Sequence, residues 1–292
     1  MDERGDRRSW GVEQRIEFIE FKLFWDGQLN RSDITERFGV STPQASADLA
    51  NYQDRVPGNL RYDSSRKCYL PAANFKPLLL KPNAERYLAQ LRALTEKVIG
   101  LGETWIEELP DTGSVPIPSR RVDAASLRKF LAAIRERRSI SIEYQSLSDT
   151  RPDPTWREIT PHAFGSDGLR WHVRAFCHIE QRFKDFILSR CLKIGRSGEP
   201  QASGDDDTSW RSFFTVILMP NPKLSPAQQK TIERDYGMKD GRCELNIRRA
   251  LLYYLDKRLR LDIAEKQDRP KETPVVVANR KEYDQELKSV SY

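Results

Sequence analysis

The stretch that decides the fold is Leu169-Arg170-Trp171-His172-Val173-Arg174-Ala175-Phe176-Cys177. It has the composition of a β-strand, and successive side chains of a strand point to opposite faces. One face carries Trp171, Val173, Ala175 and Cys177. The other face carries Arg170, His172, Arg174 and Phe176. The first face can pack a core. The second face carries two guanidinium groups, an imidazole and an aromatic ring, and on this stretch alone it could equally be the exposed, basic face of a half-buried strand.

Three further apolar runs flank this strand at spacings typical of hairpins. They are Ser139 to Ser146, the run that contains His162, and Phe183 to Leu192. Four such runs predict a small, strongly bent antiparallel sheet. Arg174 and Arg190 then fall on adjacent strands, where like charges repel unless an anion or phosphate lies between them. The pattern therefore predicts a site for an anion.

The charge distribution agrees with that prediction. The chain of 292 residues has a net charge of +6. Residues 126–196 hold 14 Lys or Arg and 8 Asp or Glu, so the whole excess lies in this one segment. A local excess of this size indicates an anionic partner, and nucleic acid or a nucleotide is the first candidate.

The same segment resembles a known family. The motifs that carry the resemblance are Ile142-Glu143-Tyr144-Gln145-Ser146, Thr160-Pro161-His162, Arg170 to Ala175, and Leu188-Ser189-Arg190. Together they resemble a WYL domain, a small Sm-like β-barrel that bacterial regulators use as a sensor. The namesake triplet reads Trp171-His172-Val173, which keeps the tryptophan and departs at the next two positions. Over nearly its whole length, the chain resembles the BrxR/CapW group of WYL-domain repressors of phage-defence operons.

The strand pattern and the resemblance together predict the ligand site. We expect an anionic effector, a nucleic-acid fragment or a nucleotide, to contact Tyr144, Ser146, His162, Trp171, His172, Arg174 and Arg190. The alternative is that the two arginines are paired with acids such as Asp185 or Glu143 and only stabilise the barrel. The resemblance further implies control of a neighbouring defence operon, often together with the regulator's own gene.

Residues 12–26 are predicted to form a helix with two apolar stripes. Ile16, Ile19 and Leu23 make one stripe, and Phe18, Phe21 and Trp25 make the other on the opposite side. We expect the first stripe to serve the local core and the second to meet another domain or subunit.

A helix-turn-helix follows this first helix. A short helix at residues 30–38 ends at Gly39, and a second helix at residues 42–52 starts with Thr42 as N-cap and Pro43 at the first helical position. Its core face holds Ala45, Leu49 and Tyr52, and its small outer face lets the backbone approach base edges. The alternative is a helical hairpin that contacts only protein.

Specific contacts to DNA follow from this geometry. Gln44 and Asn51 are expected to reach adenine, Ser46 either base type, and Ala47 a thymine methyl group. Residues 60–70 read as a β-hairpin wing with its turn near Asp63, and its basic residues suit phosphates. The predicted DNA-binding set is Thr42, Pro43, Gln44, Ser46, Ala47, Asn51, Arg55, Arg61, Arg66 and Lys67.

The fold class predicted for the chain is multidomain α+β. We divide it into a winged helix-turn-helix at 1–74, a helical linker at 75–125, the WYL domain at 126–196 and an α+β dimerisation domain at 197–292. In the linker we expect helices from Asn83 to about Ile99 and from Glu103 to Leu109, acting as a strut and as a dimer contact. Residues 195–209 read as a polar linker.

Hydropathy, the cysteines and the absence of enzyme motifs in the sequence restrict the classes of function expected for the chain. No apolar run reaches the length of a membrane helix, and the four cysteines are far apart, as in a reduced cytoplasmic protein. No metal, cofactor or catalytic residue is predicted. The partners expected are double-stranded DNA with an inverted-repeat operator, the anionic effector and a second copy of the chain. Two alternatives are a nucleic-acid-processing enzyme, for which no phosphate loop or nucleophile elbow is found, and an architectural DNA-binding protein without a sensor.

Overall fold

The structure is a computed structural model that describes residues 3–118, 120–147, 151–264, 266 and 269–290. The chain forms two compact units, Met1–Pro116 and Ile117–Tyr292. We call them the N-terminal and the C-terminal unit and describe each by itself.

The N-terminal unit is a winged helix-turn-helix followed by a further helix. Its helices are α1 (Glu3–Phe21), which continues into a π-helical turn at Lys22–Asp26, α2 (Arg31–Phe38), α3 (Thr42–Arg55) and α4 (Ala84–Thr95). Its hairpin is formed by β1 (Leu60–Asp63) and β2 (Cys68–Pro71). Gly39 ends α2 in the left-handed region at φ 62°, as its position predicted. The N-cap of α3 is Ser41, which accepts a hydrogen bond from the Gln44 amide, so the assignment of the cap to Thr42 was wrong.

Two predictions for the region after the wing are corrected. The helix capped by Asn83 ends at Thr95 rather than near Ile99, and Lys97 follows it with a positive φ of 57°. The helix predicted at residues 103–109 is absent from the described residues there, which hold only a 3₁₀ turn at Leu101–Glu103. The Thr104 hydroxyl accepts a hydrogen bond from the Ile106 amide. Local side-chain bonds of this kind compete with helical hydrogen bonds.

Both apolar stripes of α1 are covered within the N-terminal unit. Ile16, Ile19 and Leu23 lie in a core with Leu49 and Tyr52, as predicted. The second stripe contributes Phe21 and Trp25 to a smaller cluster that contains Tyr87, Leu91, Leu94 and Ile106. The expectation that this stripe meets another domain or subunit was therefore wrong, because the segment after the wing folds back over it.

A buried carboxylate fixes that returning segment. Glu20 is fully buried, and it accepts hydrogen bonds from the amides of Leu78, Leu79 and Leu80. Asn59 accepts the Lys76 amide and donates to the Tyr52 hydroxyl at 2.5 Å. A charged group is buried at low cost when such donors satisfy it. Helices α1 and α3 are thereby tied to the chain that leads on to α4.

The C-terminal unit begins with α5 (Ala124–Glu136) and a five-stranded antiparallel sheet in the order β6-β5-β4-β3-β7. The strands are β3 (Ser139–Tyr144), β4 (Thr155–Ser166), β5 (Trp171–Cys177), β6 (Arg182–Ile187) and β7 (Cys191–Gly198). Phe130 of α5 packs on Ile142, Ile159 and Val173 in its core. Four of the strands were predicted. The fifth, β7, includes Gly195 and Gly198, so the polar linker does not begin at Gly195.

A second, three-stranded sheet completes the C-terminal unit in the order β10-β8-β9. Its strands are β8 (Phe213–Pro220), β9 (Cys243–Arg248) and β10 (Val275–Val277). Its helices are α6 (Thr208–Arg211), α7 (Pro226–Asp235), α8 (Leu252–Arg258), α9 (Leu261–Ala264) and α10 (Arg280–Ser289). Val216, Leu252 and Tyr283 are buried together in its core. This combination of strands and helices agrees with the α+β class predicted for this part of the chain.

Candidate functional site

The recognition helix α3 presents the outer face that its sequence predicted. Ala45, Asp48, Leu49 and Tyr52 are buried on the inner side. The residues exposed on the outer side are Thr42, Pro43, Gln44, Ala47, Ala50 and Asn51. Ser46 is half-buried, because its hydroxyl donates to the Thr42 carbonyl and accepts a hydrogen bond from Arg31. The face is narrow, polar and free of large side chains, as close approach to base edges requires.

A buried aspartate that the sequence analysis did not single out orients one of these residues. Asp48 is 2% exposed, and it accepts a hydrogen bond of 2.6 Å from Arg15 and one of 3.0 Å from the Gln44 side-chain amide. A carboxylate only accepts hydrogen bonds, so the Gln44 NH₂ group must face Asp48. The Gln44 oxygen is left as the group that can accept from the amino group of adenine or cytosine.

The basic residues predicted to contact phosphates lie in different surroundings. Arg55 forms an ion pair of 2.7 Å with Glu13. Arg66 donates to the Gln28 side chain at 2.8 Å, and Lys67 sits in the hairpin turn with a φ of 53°. Arg61, Arg66 and Lys67 are exposed on the wing. Their contacts to DNA, like that of Arg55, stay predictions.

The two faces of β5 differ from the prediction. Val173, Ala175 and Cys177 are buried in the core, as expected, but Trp171 is 57% exposed. On the opposite face, His172 and Arg174 are 2% and 5% exposed, which excludes the alternative of an exposed, basic face at these two residues. Residues beyond the first sheet cover this face, and strand periodicity cannot reveal a cover supplied from elsewhere in the chain.

Arg174 is held by two carboxylates. Its Nε donates to Asp207 at 2.7 Å, its Nη2 donates to the same carboxylate at 3.2 Å, and its Nη1 donates to Asp185 at 3.4 Å. His162 lies 3.0 Å from Asp207. Burial opposes ionisation of Asp207, but the hydrogen bonds from His162 and Arg174 prevail and lower its pKa to about 2. Arg174 is therefore paired with acids, which is the alternative considered in the sequence analysis. Its principal partner is Asp207, from the predicted polar linker, rather than Glu143.

A cavity of about 470 Å³ lies beside this cluster. The residues that line it are Tyr144, Arg170, His172, Asp185, Ile187, Arg190, Tyr253 and Tyr254. Three predicted ligand residues, Tyr144, His172 and Arg190, are brought together here. The predicted residues that do not line it are Ser146, His162, Trp171 and Arg174. Tyr253 and Tyr254 of α8 were missed, and their adjacent aromatic rings next to a helix start were the only signal for them in the sequence.

The charged side chains that line the cavity differ in how far they are paired with other groups of the protein. Arg170 donates its Nε to Asp167 at 2.7 Å. Asp185 accepts from the Tyr254 hydroxyl at 2.9 Å and from Arg174. Within the described parts of the chain, Arg190 forms no ion pair with a carboxylate, and its backbone carbonyl accepts the Gln145 amide. Arg190 is therefore the cationic side chain best placed to meet an incoming anion.

His172 has one ring nitrogen engaged and the other not. Its Nε2 lies 3.3 Å from Asp167. Burial opposes ionisation of Asp167, but hydrogen bonds, first from Arg170, lower its pKa to about 2. Burial lowers the pKa of His172 below its usual value. Its Nδ1 is buried without a hydrogen-bond partner among the described residues. The Tyr254 ring lies 4.7 Å from the imidazole, centroid to centroid.

None of the helices in the described residues combines the length and apolar character needed to cross a membrane. In the same residues, no three His, Cys, Asp or Glu side chains cluster closely enough to bind a metal ion.

Comparisons with known proteins identify three domain families in the chain. Residues 11–93 match the BrxR transcriptional regulator winged helix-turn-helix domain, residues 125–194 the WYL domain, and residues 213–283 the BrxR transcriptional regulator C-terminal dimerization domain. These matches confirm the predicted fold class, a multidomain α+β protein with these three kinds of domain.

Full-length relatives are also similar to this chain. A protein of Stenotrophomonas maltophilia named DNA-binding transcriptional repressor CapW is 40% identical over 98% of this chain and 95% of its own length. Proteins of the same name from Escherichia coli (strain KTE188) and Pseudomonas aeruginosa are 38% and 40% identical, each over 94% of this chain and 91% of its own length.

Among solved structures, proteasome accessory factor B/C of Arthrobacter aurescens matches 95% of this chain with 17% identity and a TM-score of 0.24. The chain spans about half, 48%, of that protein's length.

Proposed function

The chain belongs to the BrxR/CapW family of WYL-domain transcriptional regulators, and we propose from this that it is a sequence-specific DNA-binding repressor. The observation that carries the proposal is the outer face of α3, where small and polar residues are exposed and Asp48 orients Gln44. That face can lie in the major groove with Gln44, Ala47 and Asn51 at base edges.

The repressor binds its operator as a homodimer. One recognition helix reads only a few base pairs, and the described residues of each chain form a single helix-turn-helix. The match of residues 213–283 to a dimerization domain supports pairing through the C-terminal domain. Two-fold symmetry requires an inverted-repeat operator, with half-sites separated by about one helical turn of DNA or a multiple of it.

Selection from a random duplex library, followed by footprinting, tests this proposal. The purified full-length chain should enrich an inverted repeat and protect both half-sites. The variant Asn51→Ala should lose base preference at one symmetric pair of positions. Its matched control is Gln53→Ala, which alters an exposed residue of the same helix outside the predicted set and should keep that preference. Protection of a single asymmetric half-site by a monomer would contradict the dimer.

We also propose that the WYL domain senses an anionic effector, a nucleotide or nucleic-acid fragment, in the 470 Å³ cavity. Arg190 is the principal anion-binding side chain, with Arg170 beside it. A guanidinium group forms strong, paired hydrogen bonds to phosphate oxygens. The effector changes operator affinity if it binds one arrangement of the dimer better than the other. The family membership supports a phage-defence operon, and the regulator's own gene, as the targets.

A reporter strain tests this sensing role. The operator drives the reporter, and infection with phage supplies the inducing signal. Arg190→Ala should still repress but should no longer respond to infection. Arg196→Ala, an exposed arginine on β7 outside the cavity, is the control and should respond normally. A normal response in well-folded Arg190→Ala would rule out the cavity as the sensor.

A further inference from the structure

We propose that the cavity lined by His172 and Arg190 is a nucleotide site in which the base is recognised by His172 and by aromatic rings of the C-terminal domain. The proposal rests on the sensing role given above and deepens it. It assigns one more chemical group to the effector, a planar heterocycle with an N–H donor, and two residues, Tyr253 and Tyr254, that the WYL domain itself does not contain.

The protonation of His172 can be worked out from its neighbours. The Asp167 carboxylate is ionised at neutral pH and only accepts hydrogen bonds, so the imidazole Nε2 that faces it carries the proton. Because burial lowers the pKa of His172, the ring is neutral at that pH. Its Nδ1 is then a lone-pair acceptor.

The described residues supply no donor to this acceptor. Nδ1 is buried and has no partner among the described residues, and an unsatisfied buried polar atom is costly. His172 is one of the residues that line the cavity, whereas Asp167 is not. Nδ1 is therefore the polar atom that His172 can offer to a molecule in the cavity. A fully ionised phosphate group cannot satisfy it, because its oxygens only accept hydrogen bonds.

The aromatic part of the cavity fits a planar ring. The Tyr254 ring lies against the His172 imidazole, and its hydroxyl is fixed by Asp185 at 2.9 Å. Tyr253 is 38% exposed, and its ring packs edge-on against Tyr254 with 5.7 Å between centroids. Any of the nucleobases can stack on an exposed tyrosine ring, because each has a flat aromatic face. The N–H groups of every nucleobase supply the donor that Nδ1 requires.

Size and charge complete the description of the ligand. A volume of 470 Å³ lies within the range of about 300–1,000 Å³ typical of small-molecule sites. Arg190 and Arg170 offer guanidinium groups for one phosphate, while Asp185 is engaged by Tyr254 and Arg174. One base, one sugar and one phosphate satisfy all of these groups. The ligand is thus a nucleoside monophosphate, free or as the end of a strand.

The position of the tyrosines gives the site a regulatory meaning. Tyr253 and Tyr254 lie on α8, and the family match places this helix in the C-terminal dimerization domain. Arg190 and His172 belong to the WYL domain. A nucleotide bound here contacts both domains at once, so its binding energy acts directly on the contact between sensor and dimerization domain.

Calorimetric titration of the full-length protein tests the site. The probes are the four ribonucleoside 5′-monophosphates, ribose 5-phosphate, inorganic phosphate and a short 5′-phosphorylated single strand. We expect the nucleotides to bind at least about ten-fold more tightly than ribose 5-phosphate, the same anion without a base. Tighter binding of the single strand than of the nucleotides identifies a strand end as the source of the same chemistry.

Substitutions of His172 separate recognition of the base from folding. His172→Gln keeps an amide donor near Asp167 but has no acceptor in place of Nδ1, so the preference for nucleotides over ribose 5-phosphate should vanish. His172→Asn places a carbonyl oxygen near Nδ1 and should restore the preference. His178→Gln, which alters a histidine of the same unit bonded to Thr160, is the control and should keep it.

Each outcome decides the proposal. Equal affinity for nucleotides and ribose 5-phosphate overturns the base site but leaves anion sensing by Arg190 standing, provided that Arg190→Ala abolishes both affinities. A full nucleotide preference in folded His172→Gln also overturns it. If no probe binds at all, both the base site and anion sensing fail, whereas operator binding is judged separately by footprinting.

Discussion

The Asp207 carboxylate lies 2.7 Å from Arg174 Nε and 3.0 Å from His162 Nε2, and so joins two side chains that the sequence assigned to a ligand. Asp207 precedes α6, outside the five-stranded sheet. The strand arginine therefore has its counter-charge inside the protein. Of the two arginines predicted to bind an anion, Arg174 is engaged by Asp207 and Asp185, and Arg190 is the one that we propose as the anion-binding residue.

We predict that Arg174→Ala destabilises the C-terminal unit strongly. The substitution leaves the carboxylates of Asp207 and Asp185 without their shared cation, both in buried surroundings. Breaking a buried ion pair from one side costs about 3–5 kcal/mol. Chemical denaturation followed by circular dichroism measures this loss, and Arg190→Ala is the comparison, for which we expect little change. Equal stability of the two variants would show that Arg174 is not a structural residue.

The pKa values predict a loss of stability in acid. The pKa of Asp207 in the folded protein is about 2, below its unfolded value of 3.8. A lowered pKa stabilises the folded state above the unfolded pKa, and this contribution disappears as pH falls through the folded pKa. For Asp207 it amounts to roughly 2 kcal/mol, lost between about pH 4 and pH 2. Urea titrations of wild type and Asp207→Asn across this range should converge as pH falls.

The control for this acid effect is Asp205→Asn. Asp205 lies two residues away and its side chain is 67% exposed. Because an exposed ion pair contributes little to stability, the free energy of unfolding of this variant at neutral pH should be close to that of wild type. A constant gap between Asp207→Asn and wild type down to pH 2 would contradict the assignment.

Gln44→Ala should weaken operator binding by about 1–3 kcal/mol and relax sequence preference at one position in each half-site. The reason is that Asp48 holds the amide so that its oxygen faces outward. Arg66→Ala, on the wing, should instead weaken binding to all sequences and lower the slope of log affinity against log salt by about one. Fluorescence anisotropy at several salt concentrations distinguishes the two, and an exchange of their effects would reverse the roles of helix and wing.

Gly204→Ala should disturb the segment that carries Asp207. A Cβ at Gly204 would lie 2.5 Å from His162 Cβ and 2.7 Å from Cγ, atoms close to the backbone that cannot rotate away. Overpacking of this kind costs about 1–3 kcal/mol. Thermal melts should show a lowered midpoint, whereas Gly102→Ala, where a Cβ meets nothing within 4 Å, should not. An unchanged melt of Gly204→Ala would mean that the segment shifts without cost.

Local sequence patterns predicted the secondary structure well where an element is determined by interactions between residues close together in the chain. The Gly39 turn, the face of α3 with Ala45 and Leu49, and the hairpin after Gly58 all follow from short-range chemistry. The cap was misplaced by one residue, since Ser41 and Thr42 are adjacent and both have a hydroxyl group. The prediction of a helix at 103–109 was wrong because the Thr104 hydroxyl accepts a local hydrogen bond from the Ile106 amide.

The site was harder to predict because its parts come from distant segments. Periodicity placed His172 and Arg174 together on one face of β5, but it could not show that Asp207 and Tyr254 cover that face. Counting charges along the sequence gave +6 for residues 126–196. It could not show that a carboxylate beyond that segment neutralises Arg174. Contacts between residues far apart in the chain carry this information, and a single sequence does not.

The hydrogen bonds that Glu20 accepts from the amides of residues 78–80 limit where this regulator can exchange domains with its relatives. A recombination event that joins one winged helix-turn-helix to another WYL domain directly after the wing would place the carboxylate against a returning segment from a different parent. A crossover after Ile106 keeps those donors and the partners of Phe21 in the same parental sequence. New combinations of head and sensor should therefore survive, in evolution and in the laboratory, when the junction falls in the proline-containing stretch 110–118.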